Sequence, residues 1–176
     1  MRIFAVSGFS KTGKTTTIEA LTKEFCKQSY SVATIKDSRC EDLVLDTLNT
    51  DTYKHSAAGA RQVTLRGLWG TAVIYKRRLS LAEILEHYNQ DIIILEGFGK
   101  YDLPKIITAK TAADVSAKLS PQTFAVSGII SQTATRCQGL PVINALNEAD
   151  RLCSLILNNM ADTGNSQFTD YLKQVI

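Results

Sequence analysis

Residues 3–16 read Ile3-Phe4-Ala5-Val6-Ser7-Gly8-Phe9-Ser10-Lys11-Thr12-Gly13-Lys14-Thr15-Thr16. An apolar run leads directly into G-x-x-x-x-G-K-[ST], and the next residues repeat their apolar positions at helical spacing. Strand, glycine-rich loop and helix in that order define a phosphate-binding loop. The glycines allow successive backbone N–H groups to converge on one point, and the helix N-terminus adds partial positive charge. Lys14 supplies a full charge where β- and γ-phosphate oxygens would lie, and the Thr15 hydroxyl can ligate Mg²⁺. Gly8, Phe9, Ser10, Lys11, Thr12, Gly13, Lys14, Thr15 and Thr16 are therefore the expected nucleotide-binding residues.

Working outward, Ile18, Leu21 and Phe25 predict a helix over 14–28 with one buried face, followed by a short strand at Val32-Ala33-Thr34-Ile35. Residues 37–51 are polar and acid-rich without a clean period and suit a loop near the strand ends. Thr52 to Ala60 reads as helical. Gln62–Leu65 and Ala72–Tyr75, separated by Arg66-Gly67-Leu68-Trp69-Gly70, predict a hairpin. Ser80-Leu81-Ala82-Glu83 is a capping box opening a helix to about residue 90. Asp91-Ile92-Ile93-Ile94-Leu95 is the unbroken apolar run of a parallel strand covered on both faces. Ile106-Ile107, Phe124–Ile130 and Val142-Ile143 are further strand candidates, and 145–159 a closing amphipathic helix. The expected fold is α/β, a doubly wound, mainly parallel sheet of the P-loop NTPase kind with a small β-hairpin excursion. One nucleotide-binding domain is expected over 1–160, with 161–176 a C-terminal tail or short helix.

The 176 residues suffice for a substantial core, and a net charge of +3 is too small to argue for nucleic acid or membrane as a partner. Cys26, Cys40, Cys137 and Cys153 show no C-x-x-C, which argues against a zinc site or a disulfide framework. No apolar stretch approaches the ~20 residues of a membrane span. A soluble, cytoplasmic protein is expected.

Glu96 closes the strand run and precedes Gly97, at the carboxyl end of a buried strand where the acidic partner of Mg²⁺ or of an attacking water belongs. It is the candidate catalytic and metal-shell residue. Asp37, Asp46 and Asp51 are either further metal carboxylates or surface acids, and spacing alone does not choose. Lys11 either touches phosphate or faces solvent. Arg61, Arg66, Lys76, Arg77 and Arg78 form either a second anion site or a charged edge that discourages strand pairing. His55 and His87 have no partner at catalytic spacing.

Four features together resemble the molybdopterin-guanine dinucleotide biosynthesis protein B (MobB) family of small GTP-binding proteins. They are the loop at 8–16; Ile35-Lys36; Asp46-x4-Asp51-Thr52 followed by Ala58-Gly59-Ala60; and Glu96-Gly97-Phe98 with Pro104-Lys105-Ile106 downstream. The resemblance implies GTP and Mg²⁺ as cofactors, weak hydrolysis at most, a homodimer, and assistance to the molybdopterin guanylyltransferase, with molybdopterin itself a possible contact. It implies phosphate binding at Gly8 to Thr16, Mg²⁺ near Thr15 and Glu96, and a metal role for Asp46 and Asp51. The chain departs from the family at Asp37-Ser38-Arg39-Cys40, where relatives commonly carry histidines, and at Asn49-Thr50, where Gly-Lys is common. No N-K-x-D guanine-reading segment is present; Lys110 to Asp114 is only a loose echo. A small-molecule kinase using ATP, or a nucleotide-gated interaction module, are the alternatives the motifs leave open. The hairpin, with Trp69 and unpaired edges, adds to the expectation of a homodimer.

Overall fold

A computed structural model describes residues 1–38 and 46–160. In chain order its elements are β1 (Arg2–Gly8), α1 (Lys14–Lys27), β2 (Val32–Lys36), α2 (Asp51–Ala57), β3 (Gln62–Arg66), β4 (Thr71–Tyr75) and α3 (Leu81–Leu85). There follow β5 (Ile92–Glu96), β6 (Lys105–Thr108), α4 (Ala112–Lys118), β7 (Thr123–Ser127), β8 (Arg136–Cys137), β9 (Leu140–Pro141) and α5 (Ala149–Asn159). The chain divides into two compact units, one formed by Met1–Asp37 with Tyr88 onward, the other by Ser38–His87.

In the first unit five strands form a parallel sheet in the order β2-β5-β1-β6-β7. β1 sits at its centre, with Phe4 opposite Ile94 and Val6 opposite both Glu96 and Ile106. The apolar runs of β1 and β5 are buried on both faces, as a central parallel strand demands. Alternate residues separate the two faces. Phe4, Val6, Ile92, Ile94 and Ile106 meet Ile18, Leu21 and Phe25 of α1 and Leu152, Cys153 and Ile156 of α5. Ile107, Ala109 and Val126 face the other way, toward Val115 of α4 and Ile130. The sheet is thus doubly wound, as expected. Burial pushes the Cys153 thiol up to about 12, so it behaves as a small apolar side chain.

α1 ends in a Schellman motif: Ser29 adopts φ 66, its N–H donates to the Cys26 carbonyl and that of Tyr30 to Phe25. Tyr30 then packs edge-on against Phe25, with ring centroids 5.8 Å apart, and turns the chain into β2.

Several expected elements are shorter. The strand expected over Phe124–Ile130 ends at Ser127, because Gly128 at φ 86 breaks it and a short 3-10 turn, Ile129–Gln132, follows. Val142 contributes only an isolated bridge to Val126. The helix opened by Ser80 stops at Leu85, and α5 starts at Ala149. α4 was not expected, yet it begins with a reciprocal capping box in which Thr111 and Asp114 accept each other's backbone N–H. No described helix is long and apolar enough to cross a membrane. The expected tail at 161–176 and most of the expected loop at 37–51 lie outside the described residues.

The second unit holds α2, the antiparallel pair β3–β4 and α3. The expected hairpin is present, with Thr64 opposite Val73, and its turn exposes Leu68 and Trp69 almost completely. The Ser80 capping box is also present. The Glu83 carboxylate that completes it accepts from the Ser80 N–H (2.8 Å) and hydroxyl (2.9 Å), and from two Arg77 guanidinium nitrogens at 2.6 and 3.1 Å. These hydrogen bonds, Arg77 first, lower the Glu83 pKa from 4.5 to about 2. A depressed carboxylate favours the folded form above its ordinary pKa and loses that contribution as pH falls through the folded one. The Ser80 amide resonance is therefore expected to titrate with a midpoint near 2 rather than 4.5, and the acid step should vanish in Glu83→Gln, as followed by NMR.

Candidate functional site

The loop at 8–13 connects β1, the central strand, to the start of α1. Gly13 caps the helix at φ 101 with no side-chain hydrogen bond to the first turn. The N–H groups of Lys14, Thr15 and Thr16 precede the first intrahelical bond, Thr17 N–H to Gly13, and so provide the donors an anion needs. Lys11 takes φ 58 at the exposed tip of the loop.

Thr12 anchors this loop. The residue is 1% exposed and its hydroxyl lies 2.8 Å from that of Thr108; one of the two donates to the other, and the remaining proton is left for a backbone carbonyl, Phe9 (2.9 Å from Thr12) or Ser7 (3.2 Å from Thr108). The Thr12 carbonyl accepts from Ile129 N–H at 3.3 Å. Two glycines permit the approach. A Cβ at Gly8 would overlap the Thr108 carbonyl oxygen, and one at Gly128 the Thr12 carbonyl oxygen.

Lys14 folds over the loop and donates to the carbonyls of Phe9 (2.7 Å) and Gly8 (3.2 Å). Burial is the largest influence on its pKa and lowers it; Glu96 opposes that, while Lys36 and Lys118 lower it further. Lys118, from the end of α4, lies 4.5 Å from the centroid of the Phe9 ring. Lys14, Lys36 and Lys118 thus gather near one mouth, with the Glu96 carboxylate among them. An arrangement with that excess of positive charge suits a polyanion.

Glu96 ends β5 and is largely sheltered, with its side chain 14% exposed. Its Oε1 lies 3.4 Å from the Thr15 hydroxyl and 3.5 Å from the Lys36 ammonium on the neighbouring strand. A hydroxyl beside a carboxylate is an oxygen donor set fitting Mg²⁺. Among the described residues no three His, Cys, Asp or Glu cluster as a metal site. A metal here would need phosphate oxygens and water to complete its shell. The loop beyond Glu96 is held by Lys105, 3% exposed, which donates to the carbonyls of Tyr101 (2.7 Å) and Gly99 (3.1 Å). Burial lowers the Lys105 pKa, with Asp102 opposing.

Asp46 and Asp51 belong to the second unit. Asp46 Oδ1 accepts from Thr47 N–H and from the Thr50 and Thr52 hydroxyls at 2.9–3.0 Å, while its Oδ2 is buried with no hydrogen-bond partner among the described residues. Burial raises the Asp46 pKa, but the hydrogen bonds from Thr52, Thr50 and Thr47 together outweigh it and the net shift is downward. Asp51 is exposed at the start of α2 and pairs with Lys54. Of the basic stretch, Arg77 is engaged by Glu83.

Beside the loop, on the β7 side, lies a cavity of about 200 Å³. Gly13, Thr16 and Thr17 form one wall; Ser127, Gly128, Ile129, Asn144, Ala145 and Leu146 are among those forming the others. The Ser127 hydroxyl is buried there with no hydrogen-bond partner in the described structure, and Asn144 Oδ1 is fixed by Leu146 N–H at 3.0 Å. Sequence reasoning did not single out Lys118, Ser127 or Asn144, and treated Lys36 only as a strand end. For Lys36 a signal existed, since β2 and β5 both end in a charged residue.

Fold and loop together place the chain among α/β proteins with a mainly parallel sheet and a glycine-containing loop between the first strand and helix. The family described as "Molybdopterin guanine dinucleotide synthesis protein B" (MobB) matches residues 3–132, and the chain belongs to it. A relative from Methanocaldococcus jannaschii, named for an adapter role in molybdopterin-guanine dinucleotide biosynthesis, is 37% identical over 117 residues. That match covers 62% of this chain and 48% of the relative, so the chain spans about half of that protein's length. A Bacillus subtilis relative named for the same role is 30% identical over 148 residues, covering 81% of this chain and 85% of its own. The crystal structure of Bacillus subtilis MobB superposes with a TM-score of 0.74 at 26% identity, over 93% of this chain and 100% of that one.

Gly128 tests whether the loop depends on close backbone approach. Gly128→Ala would carry a Cβ into the Thr12 carbonyl at φ 86, whereas Gly139→Ala, at φ 78, meets nothing within 4 Å. Left-handed strain alone costs about 1–2 kcal/mol. Denaturant unfolding should therefore show Gly139→Ala losing that much and Gly128→Ala clearly more.

Proposed function

We propose that this chain binds GTP with Mg²⁺ at Gly8 to Thr16 and acts in the cytoplasm as a nucleotide-dependent adapter in molybdopterin-guanine dinucleotide biosynthesis, hydrolysing GTP weakly at most. The observation that carries the nucleotide reading is the placing of Lys14 on the Phe9 and Gly8 carbonyls, Lys118 over the Phe9 ring and Lys36 beside Glu96, around a loop whose helix N-terminus has no side-chain cap. Family membership and the names of the relatives support the biosynthetic role. Its partners would be the molybdopterin guanylyltransferase and molybdopterin.

Within this reading the loop N–H groups and Lys14 bind the β- and γ-phosphates. Thr15 and Glu96 are the residues that would hold Mg²⁺, which neutralises phosphate charge when bound. The Glu96 carboxylate also orients water at the strand end, which gives it the catalytic role in slow hydrolysis. Asp46 and Asp51 are further acidic oxygens of the proposal; the buried Oδ2, without a hydrogen-bond partner among the described residues, supports Asp46, whereas Asp51 is exposed and rests on family resemblance alone. The cavity at Ser127 and Asn144 suits the nucleoside, because it adjoins the loop and offers polar groups between apolar walls. Guanine rather than adenine rests on the family.

Calorimetric titration with Mg-GTP and Mg-ATP tests the reading. Micromolar or tighter GTP binding is expected, and Lys14→Ala should weaken it at least ~10-fold, since a charge-assisted hydrogen bond contributes about 1.5–3 kcal/mol. An unchanged affinity in a folded Lys14→Ala variant would remove the loop from the proposal. Stimulation of dinucleotide cofactor formation by the guanylyltransferase, absent with that variant, tests the adapter role.

The same proposal includes a homodimer. The β3–β4 pair is two-stranded and exposes Leu65, Leu68, Trp69 and Val73, a surface with unpaired edges that a second copy would cover. Light scattering at tens of micromolar should give twice the chain mass, and a monomer mass for Trp69→Ser.

A further inference from the structure

Glu96 is drawn on by two groups through one oxygen. Thr15 lies 3.4 Å and Lys36 3.5 Å from Oε1. The register that pairs Lys36 with Glu96 across β2 and β5 fixes the two strand ends side by side. The two partners are unequal, since the Lys36 side chain is 64% exposed and that of Glu96 14%. An exposed ammonium is held on a sheltered carboxylate by little beyond screened attraction, so the pair is cheap to separate. A divalent cation shared with Thr15 would claim the same oxygen.

Losing Glu96 would leave Lys36 close to Lys14, on which it already acts as a like charge together with Lys118. A new anion relieves that repulsion. Room for the movement exists, because Lys36, Thr15 and Glu96 border a cavity of about 380 Å³ between α1 and β2, floored by Ile18 and Ile35. Lys14 already reaches over the loop, and the helix N-terminus supplies the donors deeper in the cradle. The phosphate oxygens left for Lys36 are the terminal ones, on the Glu96 side.

We propose that Lys36 is a second phosphate-binding residue, which leaves Glu96 when the metal takes that carboxylate and contacts the terminal phosphate of a nucleoside triphosphate. Lys36 thereby makes the site distinguish tri- from diphosphate. This rests on the nucleotide reading above and assigns to Lys36 a role in it. The exchange breaks no covalent bond; an ammonium trades one anionic oxygen for another.

The test is calorimetric titration of the full chain with GTP and GDP, each with Mg²⁺, followed by a thermal melt to verify folding. In Lys36→Met, GTP affinity should fall ~10-fold while GDP affinity falls less than ~3-fold, the gap reflecting one charge-assisted contact made only by the terminal phosphate. Lys36→Arg should restore most of the GTP affinity. Lys27→Met, which removes an equal charge from the exposed end of α1, should change neither. If Lys36→Met leaves the GTP-to-GDP ratio as it was, or lowers both affinities equally, the role is overturned while the nucleotide reading stands. If the unsubstituted protein binds neither nucleotide, that reading falls, and this one with it.

Discussion

The hydrogen bond between the Thr12 and Thr108 hydroxyls is the contact on which the site's architecture depends. It joins the phosphate loop to the end of β6, and the Thr12 carbonyl reaches on to Ile129 beyond β7. A single buried residue thus ties the loop through its side chain to β6 and through its backbone to the turn after β7. The loop is otherwise a run of small and flexible residues whose backbone would sample many conformations. Presenting several N–H groups to one anion requires that those conformations be restricted beforehand, and packing alone offers little on residues with so few side-chain atoms. The threonine pair does it with directional bonds in a dry setting, where they are strongest. Gly8 and Gly128 follow from the same constraint, since each lies where a methyl group would enter a carbonyl oxygen of this network.

Charge is arranged with comparable asymmetry. Away from the loop several ions meet opposite ions: Arg77 meets Glu83, Lys54 meets Asp51 and Arg151 meets Glu148. Around the loop Lys14, Lys36 and Lys118 lie near one another, and Glu96 pairs with Lys36. Such a gathering of like charge costs stability in the protein alone and would be offset by an anionic ligand, as perturbed charges commonly cluster at binding sites.

Much of this was legible from residue order. The apolar runs at 3–6 and 91–95, with loop signals after each, determine the central strands, and the Gly-Lys-Thr segment determines what stands between strand and helix. The Ser80 capping box was read and is formed. Its counterpart at Thr111 and Asp114 has the same chemistry, yet was passed over because residues 110–114 were weighed only as a guanine-reading motif; the α4 that they open carries Lys118. Positions such as Lys36, Ser127 and Asn144 acquire meaning only through register and chain crossing. Lys36 and Glu96 are sixty residues apart in sequence, and only parallel pairing of β2 with β5 makes them neighbours. Buried Lys105 was invisible for another reason: its ammonium is satisfied by two carbonyls of the loop preceding it, a solution that composition does not announce.

The position of β1 at the centre of the sheet also governs how the chain reaches its native state. Both strands that hydrogen-bond to β1 come from residues 92–108, so β1 finds its partners only across a long intervening stretch of chain. Until that later stretch has emerged from the ribosome, Ile3-Phe4-Ala5-Val6 can pair with nothing native. Closing a loop of that length before any contact repays it makes assembly slow, and an apolar strand left waiting is an opening for self-association or for a chaperone. The whole of Ser38–His87 lies within the closed loop. Changes confined to that insert, Asp46 and Asp51 apart, would then alter the yield of folded protein through the time β1 spends unpaired, with the contacts of the loop at 8–13 left intact.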